Sequence, residues 1–202
     1  MRAKLRCIPV TLPDDQLVKK IIQGETDFFE ELVSRYRKPV FSICYRMIRQ
    51  REEAEDLAQE VFIKAYRNLR QFNPEHKFSS WILKIATNTT IDALRKKKLD
   101  TMPLEEEIET HREDVSAEKS FLQEEARQEI ETAIGRLPQE YRMVVLLYHQ
   151  QGKSYQDIAD ILEIPLSMVK NRLFRARKIL KAELKNLKEE MLWTAKSPGK
   201  TP

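Results

Sequence analysis

The chain has 202 residues, enough for one or two small domains. Hydrophobic residues make up 41% and charged residues 34%, a balance typical of a soluble globular protein with a highly charged surface. Its 4 glycines are too few for the turns of a many-stranded sandwich or barrel, and no apolar run approaches the ~20 residues of a transmembrane helix. The amino terminus lacks the apolar segment of a secretory signal, so we expect a cytoplasmic protein without membrane insertion.

Cysteine and histidine are too few and too scattered to suggest a metal site. Cys7 and Cys44 lie far apart, and the chain has 3 histidines. We predict two free thiols in a reducing cytoplasm, and neither a metal nor a cofactor. No combination of nucleophile and base suggests catalysis, so we also predict no catalytic residue.

Charge is divided into blocks, although the net charge is only +4. Residues 51–60 carry a net −4 and residues 99–131 a net −9, whereas residues 70–98 and 165–190 each carry a net +5. Two basic blocks separated by an acidic one indicate two places that can neutralise phosphate. The alternative is that each block is only a solvated helix face.

Helical periodicity dominates from Asp14 to Leu192, without a convincing strand. Four amino-terminal helices are predicted, with a joint in the second at Pro39 and an Asn-Pro loop before the fourth. They run over about 14–23, 26–48, 52–68 and 78–97. Residues 1–98 form the first predicted domain.

The second half is predicted as a linker, a helical domain and a tail. Residues 99–127 lack a clean apolar period for most of their length and are predicted to be a flexible acidic linker. Residues 128–192 form the second domain, in which Pro138 begins a helix that Gly152 ends and Ser154 caps the next. Residues 193–202 are predicted to be a disordered tail.

Residues 154–180 have the pattern of a helix-turn-helix. Ile158 and Leu162 pack the first helix, Ala159 permits a close helix approach, and Ile164 plugs the turn. The buried stripe of the second helix comprises Val169, Leu173, Ala176 and Leu180. Such a helix fits the major groove of DNA, its early residues reading base edges. The residues left facing outward are Ser167, Lys170, Asn171, Phe174, Arg175 and Lys178, with Arg172 and Arg177 flanking the stripe as phosphate contacts.

The third and fourth helices each present a second surface. The third has an acidic face that suits a basic protein partner or is merely solvated: Glu52, Asp56, Gln59, Glu60 and Ile63. The fourth has a polar stripe of Lys84, Asn88, Asp92 and Arg95, with Phe72, Phe78 and Trp81 where the preceding loop meets it. Aromatic rings beside a basic groove stack on single-stranded bases, although core packing is an alternative for Trp81. The loop Asn73–Lys77 is long enough to pocket an unpaired base.

Two long motifs carry a family resemblance. AEDLAQEVFIKAYRNL followed by FNPEHKFSSWILKIATNTTIDALRKK resembles the second conserved region of bacterial sigma factors. LPQEYRMVVLLYHQQGKSYQDIADILEIPLSMVKNRLFRARKIL resembles their fourth region, and the short linker between the motifs resembles that of the extracytoplasmic-function (ECF) subfamily. The resemblance implies an all-α fold with two helical domains: an N-terminal four-helix sigma region 2 domain and a C-terminal helix-turn-helix sigma region 4 domain, joined by the flexible acidic linker.

The resemblance also implies roles and partners. The partners are core RNA polymerase, through its clamp helices and flap, promoter DNA in duplex and single-stranded form, and an anti-sigma factor. Residues that match the polymerase-docking motif are Asp56, Gln59, Glu60 and Phe62. Residues that match recognition and melting of the minus-ten element are Asn73, His76, Lys77, Trp81, Lys84, Asn88 and Arg95. Residues expected at the minus-thirty-five element are Ser167, Lys170, Asn171, Arg172, Phe174, Arg175 and Arg177.

Other functions stay open at this point. A two-domain repressor or activator would bind duplex DNA without polymerase, and an anti-terminator would bind polymerase without promoter specificity. An enzyme is the least favoured class. The predicted function is that of a non-catalytic sigma factor, which directs core RNA polymerase to promoters and helps to melt the minus-ten region under the control of an anti-sigma factor.

Overall fold

The computed structural model describes the backbone of residues 12–100 and 119–196 and the side chains of residues 12–97 and 127–185. Within these ranges the regular secondary structure is helical throughout, which confirms the predicted all-α class. The helices in chain order are α1 (Asp14–Ile22), α2 (Phe29–Ile48), α3 (Arg51–Asn68), α4 (Phe78–Asp100), α5 (Lys119–Arg136), α6 (Gln139–Val145), α7 (Tyr155–Leu162) and α8 (Leu166–Lys196). None of these described helices is both long and apolar enough to cross a bilayer.

Helices α1–α4 form the N-terminal domain, residues 12–100. Its core is built from apolar stripes at helical spacing, and the stripe of α3 is buried: Ala54, Leu57, Ala58, Val61 and Ala65. Gly24 follows α1 with a φ of 103°, a left-handed conformation that glycine adopts without steric cost. The chain can therefore reverse here and pack α1 against α2.

Helix α2 runs without a break through Pro39, where the sequence suggested a joint. Proline fixes a φ that suits a helix, and its cost lies in one missing hydrogen bond and a steric clash with the preceding turn. The apolar side chains that follow, Val40, Ile43, Cys44 and Met47, are all buried. We attribute the continuity of α2 to this packing, which outweighs the local penalty.

Helices α5–α8 form the C-terminal domain, residues 119–196. Pro138 precedes α6, and the chain then continues as a π-helical turn over Leu146–Gln150. Gly152 ends this segment with a φ of 60°. Ser154 begins α7 in a full capping box, because its hydroxyl accepts from Asp157 N–H while the Asp157 side chain accepts from the Ser154 backbone.

Helices α7 and α8 form the predicted helix-turn-helix. Glu163 ends α7 in the left-handed conformation, with a φ of 53°, and Ile164 is half-buried in the turn. Val169, Leu173 and Ala176 of α8 are buried, as their spacing predicts. The two helices are thus held by apolar packing that leaves the other face of α8 open.

The two domains are in contact, because α7 packs against α4 and α6 approaches α2. No pattern in the sequence indicates this contact between the domains. Helix α4 reaches Asp100 and α5 begins at Lys119, so both enter the range 99–127 predicted to be a linker. Residues 101–118 of that range, and residues 197–202 of the predicted tail, lie outside the described residues; residues 193–196 of the tail belong to α8.

Candidate polymerase and nucleic-acid interfaces

The acidic face of α3 is exposed to solvent. Asp56, Gln59 and Glu60 lie on it, as the helical period of the sequence predicts. The Glu60 carboxylate pairs with Lys64 Nζ at 2.7 Å, and Lys64 Nζ also donates to the buried Thr89 hydroxyl at 3.2 Å. Lys64 therefore bridges the exposed Glu60 carboxylate to α4, while Asp56 and Gln59 are exposed without such a link.

A groove of about 480 Å³ adjoins this face between α2 and α3. Phe62 and Gln59 line it from α3, and Phe41, stacked on Tyr45, lines it from α2. Sequence reasoning missed the α2 side of the groove, which also includes Val33, Arg37 and Lys38. An acidic helix face beside a partly aromatic groove can receive a basic protein element that also carries apolar side chains.

The loop before α4 is held by its own side chains. Asn73 Oδ1 accepts from the Glu75 N–H at 3.0 Å, and the Asn73 carbonyl accepts from the His76 N–H at 3.0 Å. This Asx turn employs the Asn73 side chain, whereas His76 and Lys77 are exposed. Of the three loop residues predicted to contact DNA, Asn73 thus has a structural role as well.

A cavity of about 400 Å³ opens between this loop and the start of α1. His76 and Lys77 line it, together with Asp14 and Asp15, which sequence reasoning did not connect to the loop. The Asp14 carboxylate accepts from Arg35 NH1 at 2.8 Å and from the Tyr36 hydroxyl, so α1 is anchored to α2 beside the cavity. Burial and the Asp14 hydrogen bond raise the pKa of Tyr36, so this hydroxyl remains a donor at neutral pH.

Trp81 is half-buried on an aromatic cluster at the start of α4. Its ring lies 5.4 Å from each of the Phe72 and Phe78 rings, measured between centroids. Phe72 and Phe78 are buried, so they support Trp81 and are not free to stack on bases. One edge of Trp81 therefore packs on the core, as one of the two interpretations from sequence expects, and base stacking by its exposed part stays a prediction.

The polar stripe of α4 is divided by the contact with the C-terminal domain. Asn88 and Arg95 are exposed, and the Arg95 guanidinium lies 3.7 Å from the Asp92 carboxylate. Lys84 Nζ instead lies 2.8 Å from Glu163 Oε1 in the turn of the helix-turn-helix. Only part of the predicted minus-ten surface is therefore open in this structure.

The outer face of α8 is exposed as predicted. It presents Ser167, Lys170, Asn171, Phe174 and Arg175, and Phe174 is 69% exposed although it is a large apolar residue. An exposed aromatic ring among cationic and amide side chains is typical of a surface that contacts base edges and thymine methyl groups.

The arginines of α8 make contacts within the domain. Arg172 is half-buried, and its NH2 lies 3.5 Å from Glu140 Oε2. Arg175 NH1 lies 3.4 Å from the Tyr141 hydroxyl, and the Arg177 guanidinium stands 5.7 Å from the Tyr148 ring centroid. Arg175 and Arg177 nevertheless remain exposed.

The described residues contain neither a cluster suited to bind a metal ion nor an exposed cysteine thiol. No group of three or more His, Cys, Asp or Glu side chains is placed to hold a metal ion there. Cys44 is a buried free thiol, and burial raises its pKa, so it is a packing residue rather than a reactive one. Cys7 lies outside the described residues.

Two family models match this chain. The model described as Sigma-70 region 2 covers residues 32–99, and the model described as Sigma-70 region 4 covers residues 127–180. The first contains the acidic face, the groove and α4, and the second contains the helix-turn-helix.

Curated relatives match over nearly their whole length. The ECF RNA polymerase sigma factor SigW of Bacillus subtilis (strain 168) is 37% identical over 179 residues, which cover 84% of this chain and 96% of the relative. The ECF RNA polymerase sigma-E factor of Haemophilus influenzae is 34% identical, with 87% of this chain and 97% of the relative covered.

Solved structures share the fold. CnrH, in complex with the cytosolic domain of CnrY, matches with a TM-score of 0.65 and 24% identity over 86% of this chain and 97% of that one. The sigma factor RpoE of Bartonella quintana, in complex with the anti-sigma factor NepR, matches with a TM-score of 0.66 and 22% identity over 78% of this chain and 96% of that one.

Proposed function

The chain belongs to the ECF sigma factors of bacterial RNA polymerase. We propose that three exposed surfaces, on α3, on α4 with its preceding loop, and on α8, each bind a different part of the polymerase–promoter complex. As a sigma factor it is a non-catalytic specificity subunit, which directs core polymerase to promoters. The acidic face of α3 docks to core, α4 and its loop take the minus-ten element, and the outer face of α8 reads the minus-thirty-five element.

The observation that carries the docking role is the pairing of the acidic face with the groove between α2 and α3. Asp56 and Gln59 are exposed beside Phe62 and Phe41, which line the groove. Charge complementarity favours the encounter with a basic helix, and the groove can bury apolar side chains of that helix. The clamp helices of core polymerase are the proposed occupant, and the C-terminal domain is proposed to contact the flap.

For the minus-ten element we propose capture of unpaired bases. The cavity beside the loop Asn73–Lys77 has room for one base, and Trp81 is supported from behind by buried rings. A domain that binds single-stranded DNA more tightly than duplex shifts the equilibrium toward melted DNA, by an amount set by the difference between the two binding free energies. Trp81, Lys84, Asn88 and Arg95 would hold the melted strand by stacking, hydrogen bonding and charge.

We also propose an anti-sigma factor as a regulatory partner and the cytoplasm as the site of action. The support for the partner is that CnrH and RpoE, which share this fold, were solved as complexes with the cytosolic domain of CnrY and with the anti-sigma factor NepR. The support for the cytoplasm is that promoter recognition needs access to polymerase and DNA, which that compartment holds in bacteria.

The test is transcription from a promoter library with purified core polymerase and an Asp56→Arg variant. We expect the wild-type chain to give site-selective starts, and Asp56→Arg to lose both these starts and co-elution with core, because the reversed charge repels a basic partner. Asp160→Arg, a charge reversal at an exposed position of α7, is the matched control and should retain both. Unchanged co-elution of a folded Asp56→Arg variant would refute the docking role.

A further inference from the structure

The cavity beside the loop Asn73–Lys77 has a wall that the loop does not supply. Asp14 and Asp15, in the first turn of α1, line this cavity of about 400 Å³ together with residues of the loop. The Sigma-70 region 2 model matches residues 32–99 and therefore does not include α1. The family assignment thus gives no role to this wall, although it borders the space proposed for the unpaired base.

The position of Asp15 at the cavity is held by its neighbours in α1. The Asp14 carboxylate accepts from Arg35 NH1 at 2.8 Å and from the Tyr36 hydroxyl, both on α2. One turn further along α1, Leu17 is buried in the core. These contacts fix the first turn of α1 against α2, so Asp15 borders the cavity from a rigid element rather than from a loop.

Asp15 is the carboxylate of this cavity that is available to a ligand. The Asp14 carboxylate is engaged by α2, and Glu75 Oε2 accepts from Asn73 Nδ2 at 3.3 Å within the loop. The Asp15 side chain is exposed and makes no hydrogen bond or ion pair with any of the residues that the structure describes. Its two oxygens can therefore accept from a bound molecule without breaking a contact within the protein.

The other walls of the cavity suit an unpaired base. The buried rings of Phe72 and Phe78 give it an apolar part. Lys77 Nζ lies 3.7 Å from Asp157 Oδ1, yet the Lys77 side chain is 73% exposed and supplies donors at the edge of the cavity. A flipped base is read in such a pocket by hydrogen bonds to its Watson–Crick edge. The cavity thus combines an apolar part with a donor at Lys77 and an acceptor at Asp15.

The four bases differ in what they present to a carboxylate. An ionised carboxylate accepts hydrogen bonds and cannot donate them. Adenine, cytosine and guanine each carry an exocyclic amine that donates, whereas thymine has carbonyl oxygens instead, and these flank its single N–H donor. A carboxylate that faces an amine gains a charge-assisted hydrogen bond, and one that faces a thymine oxygen is repelled. A free carboxylate in the cavity therefore discriminates against thymine.

We propose that Asp15 is a specificity-determining residue of this cavity, whose carboxylate accepts a hydrogen bond from the exocyclic amine of the captured base and so selects against thymine. This inference rests on the proposed function, the capture of an unpaired base beside the loop Asn73–Lys77. Because Asp15 is exposed, water competes for its oxygens and keeps the effect moderate. The expected discrimination against thymine is about three- to ten-fold.

The experiment measures base preference with the holoenzyme assembled from purified core polymerase. Templates carry a minus-ten element randomised at every position, and the transcripts started by the wild type, Asp15→Ala and Asp15→Asn are sequenced. Asp27→Asn is the matched control for the loss of charge, because Asp27 is exposed in the short turn after α1 and does not line the cavity. Urea denaturation verifies that each variant is folded.

We expect the wild type to disfavour thymine at one position of the element by about three- to ten-fold. Asp15→Ala should remove this preference, because neither the hydrogen bond nor the repulsion remains. Asp15→Asn should remove it as well, since an amide can donate to a thymine oxygen and can also accept from an amine. Asp27→Asn should keep it. Persistence of the preference in either folded Asp15 variant, an equal loss in Asp27→Asn, or a wild type that disfavours thymine nowhere would overturn the role of Asp15.

An abasic site separates failure of this inference from failure of the proposed function. The wild-type holoenzyme is titrated with single-stranded minus-ten DNA that carries an abasic site at each position in turn. A position at which the abasic site weakens binding identifies a captured base, whatever its preference. If such a position exists and Asp15→Ala leaves the base preference there unchanged, only the role of Asp15 is overturned. If no position responds, base capture itself is refuted.

Discussion

At the scale of single residues, Arg175 is the clearest candidate for direct base recognition. Its guanidinium is exposed on α8, and NH1 lies 3.4 Å from the Tyr141 hydroxyl, which restricts the side chain without pairing its charge. An arginine that contacts a guanine edge contributes about 1–3 kcal/mol of discrimination. We expect Arg175→Ala to weaken holoenzyme binding to the selected minus-thirty-five element by about that amount, in titrations against fragments with the intact and the scrambled element.

Lys178 provides the matched control for this prediction. It is an exposed cation on the same helix, without a predicted base contact. Lys178→Ala should change binding to both fragments alike, since a cation that makes no base contact acts only on the phosphate backbone, whose charge does not depend on sequence. An equal loss on both fragments for Arg175→Ala would assign Arg175 to phosphate instead.

The side chains of α8 could be predicted from sequence because one helical period decides which of them face outward. Phe174 and Lys170 follow from that period alone. The contact of Arg172 with Glu140 could not be predicted, since it joins residues 32 apart on two helices and depends on how α6 crosses α8. Asp14 and Asp15 beside the loop cavity were missed for the same reason.

At the scale of elements, the capping box of α7 supports the helix-turn-helix. The Ser154 hydroxyl lies 3.0 Å from the Asp157 N–H that it accepts from, and 2.6 Å from the Asp157 carboxylate to which it donates. We expect Ser154→Ala to lower the free energy of unfolding by about 1 kcal/mol at neutral pH, measured by urea denaturation. Ser167→Ala, at the exposed start of α8, is the control and should change it by less than about 0.5 kcal/mol.

The pH dependence of this cap follows from the pKa of Asp157. The hydrogen bond from Ser154 is the main cause that lowers this pKa below its ordinary value of 3.8, and Lys77 and Lys153 add to the shift against the effect of burial. A lowered pKa stabilises the fold above pH 3.8, and that contribution is lost as the pH falls through the folded-state value. The difference between wild type and Ser154→Ala should therefore shrink in acid. A difference that grows in acid would contradict the assigned role of the carboxylate.

Element boundaries were predictable where a cap or a glycine marks them, as at Ser154, Pro138 and Gly24. Two features of the helices could not be predicted from the sequence. The continuity of α2 through Pro39 depends on burial of the side chains that follow, and the π-helical turn over Leu146–Gln150 has no distinctive residue pattern. Both are decided by tertiary packing, to which local propensity is only a weak guide.

At the scale of the whole molecule, the contact between the domains was beyond the reach of sequence reasoning. The Arg46–Glu131 and Lys84–Glu163 pairs join residues 85 and 79 positions apart. Each of these residues belongs to an ordinary charged helix or turn when taken alone. Periodicity predicts which side chains share a face of one helix. It does not predict which charged faces contact each other across a domain boundary.

The segment between the domains limits how far they can separate. Eighteen residues, 101–118, lie between α4 and α5, and a chain of that length spans at most about 60–65 Å at about 3.3–3.6 Å per residue. The minus-ten and minus-thirty-five elements are about 25 base pairs apart, which is about 85 Å at about 3.4 Å per base pair. The two domains must therefore cover, with their own dimensions, the part of this distance that the segment cannot span. This tether, residues 101–118, is thus only slightly longer than promoter binding requires.

We therefore expect deletion of residues 103–111 to abolish initiation at promoters of normal spacing, because it removes about 30 Å of reach. Replacing the same nine residues by glycine and serine keeps the reach and should preserve initiation, which separates length from side-chain chemistry. Run-off transcription on templates with progressively shorter spacing measures both. Rescue of the deletion is expected on a template shortened by about ten base pairs, since one helical turn removes about 34 Å of separation and keeps both elements on the same face of the duplex. Full activity of the deletion at normal spacing would show that the reach of the tether does not limit promoter binding.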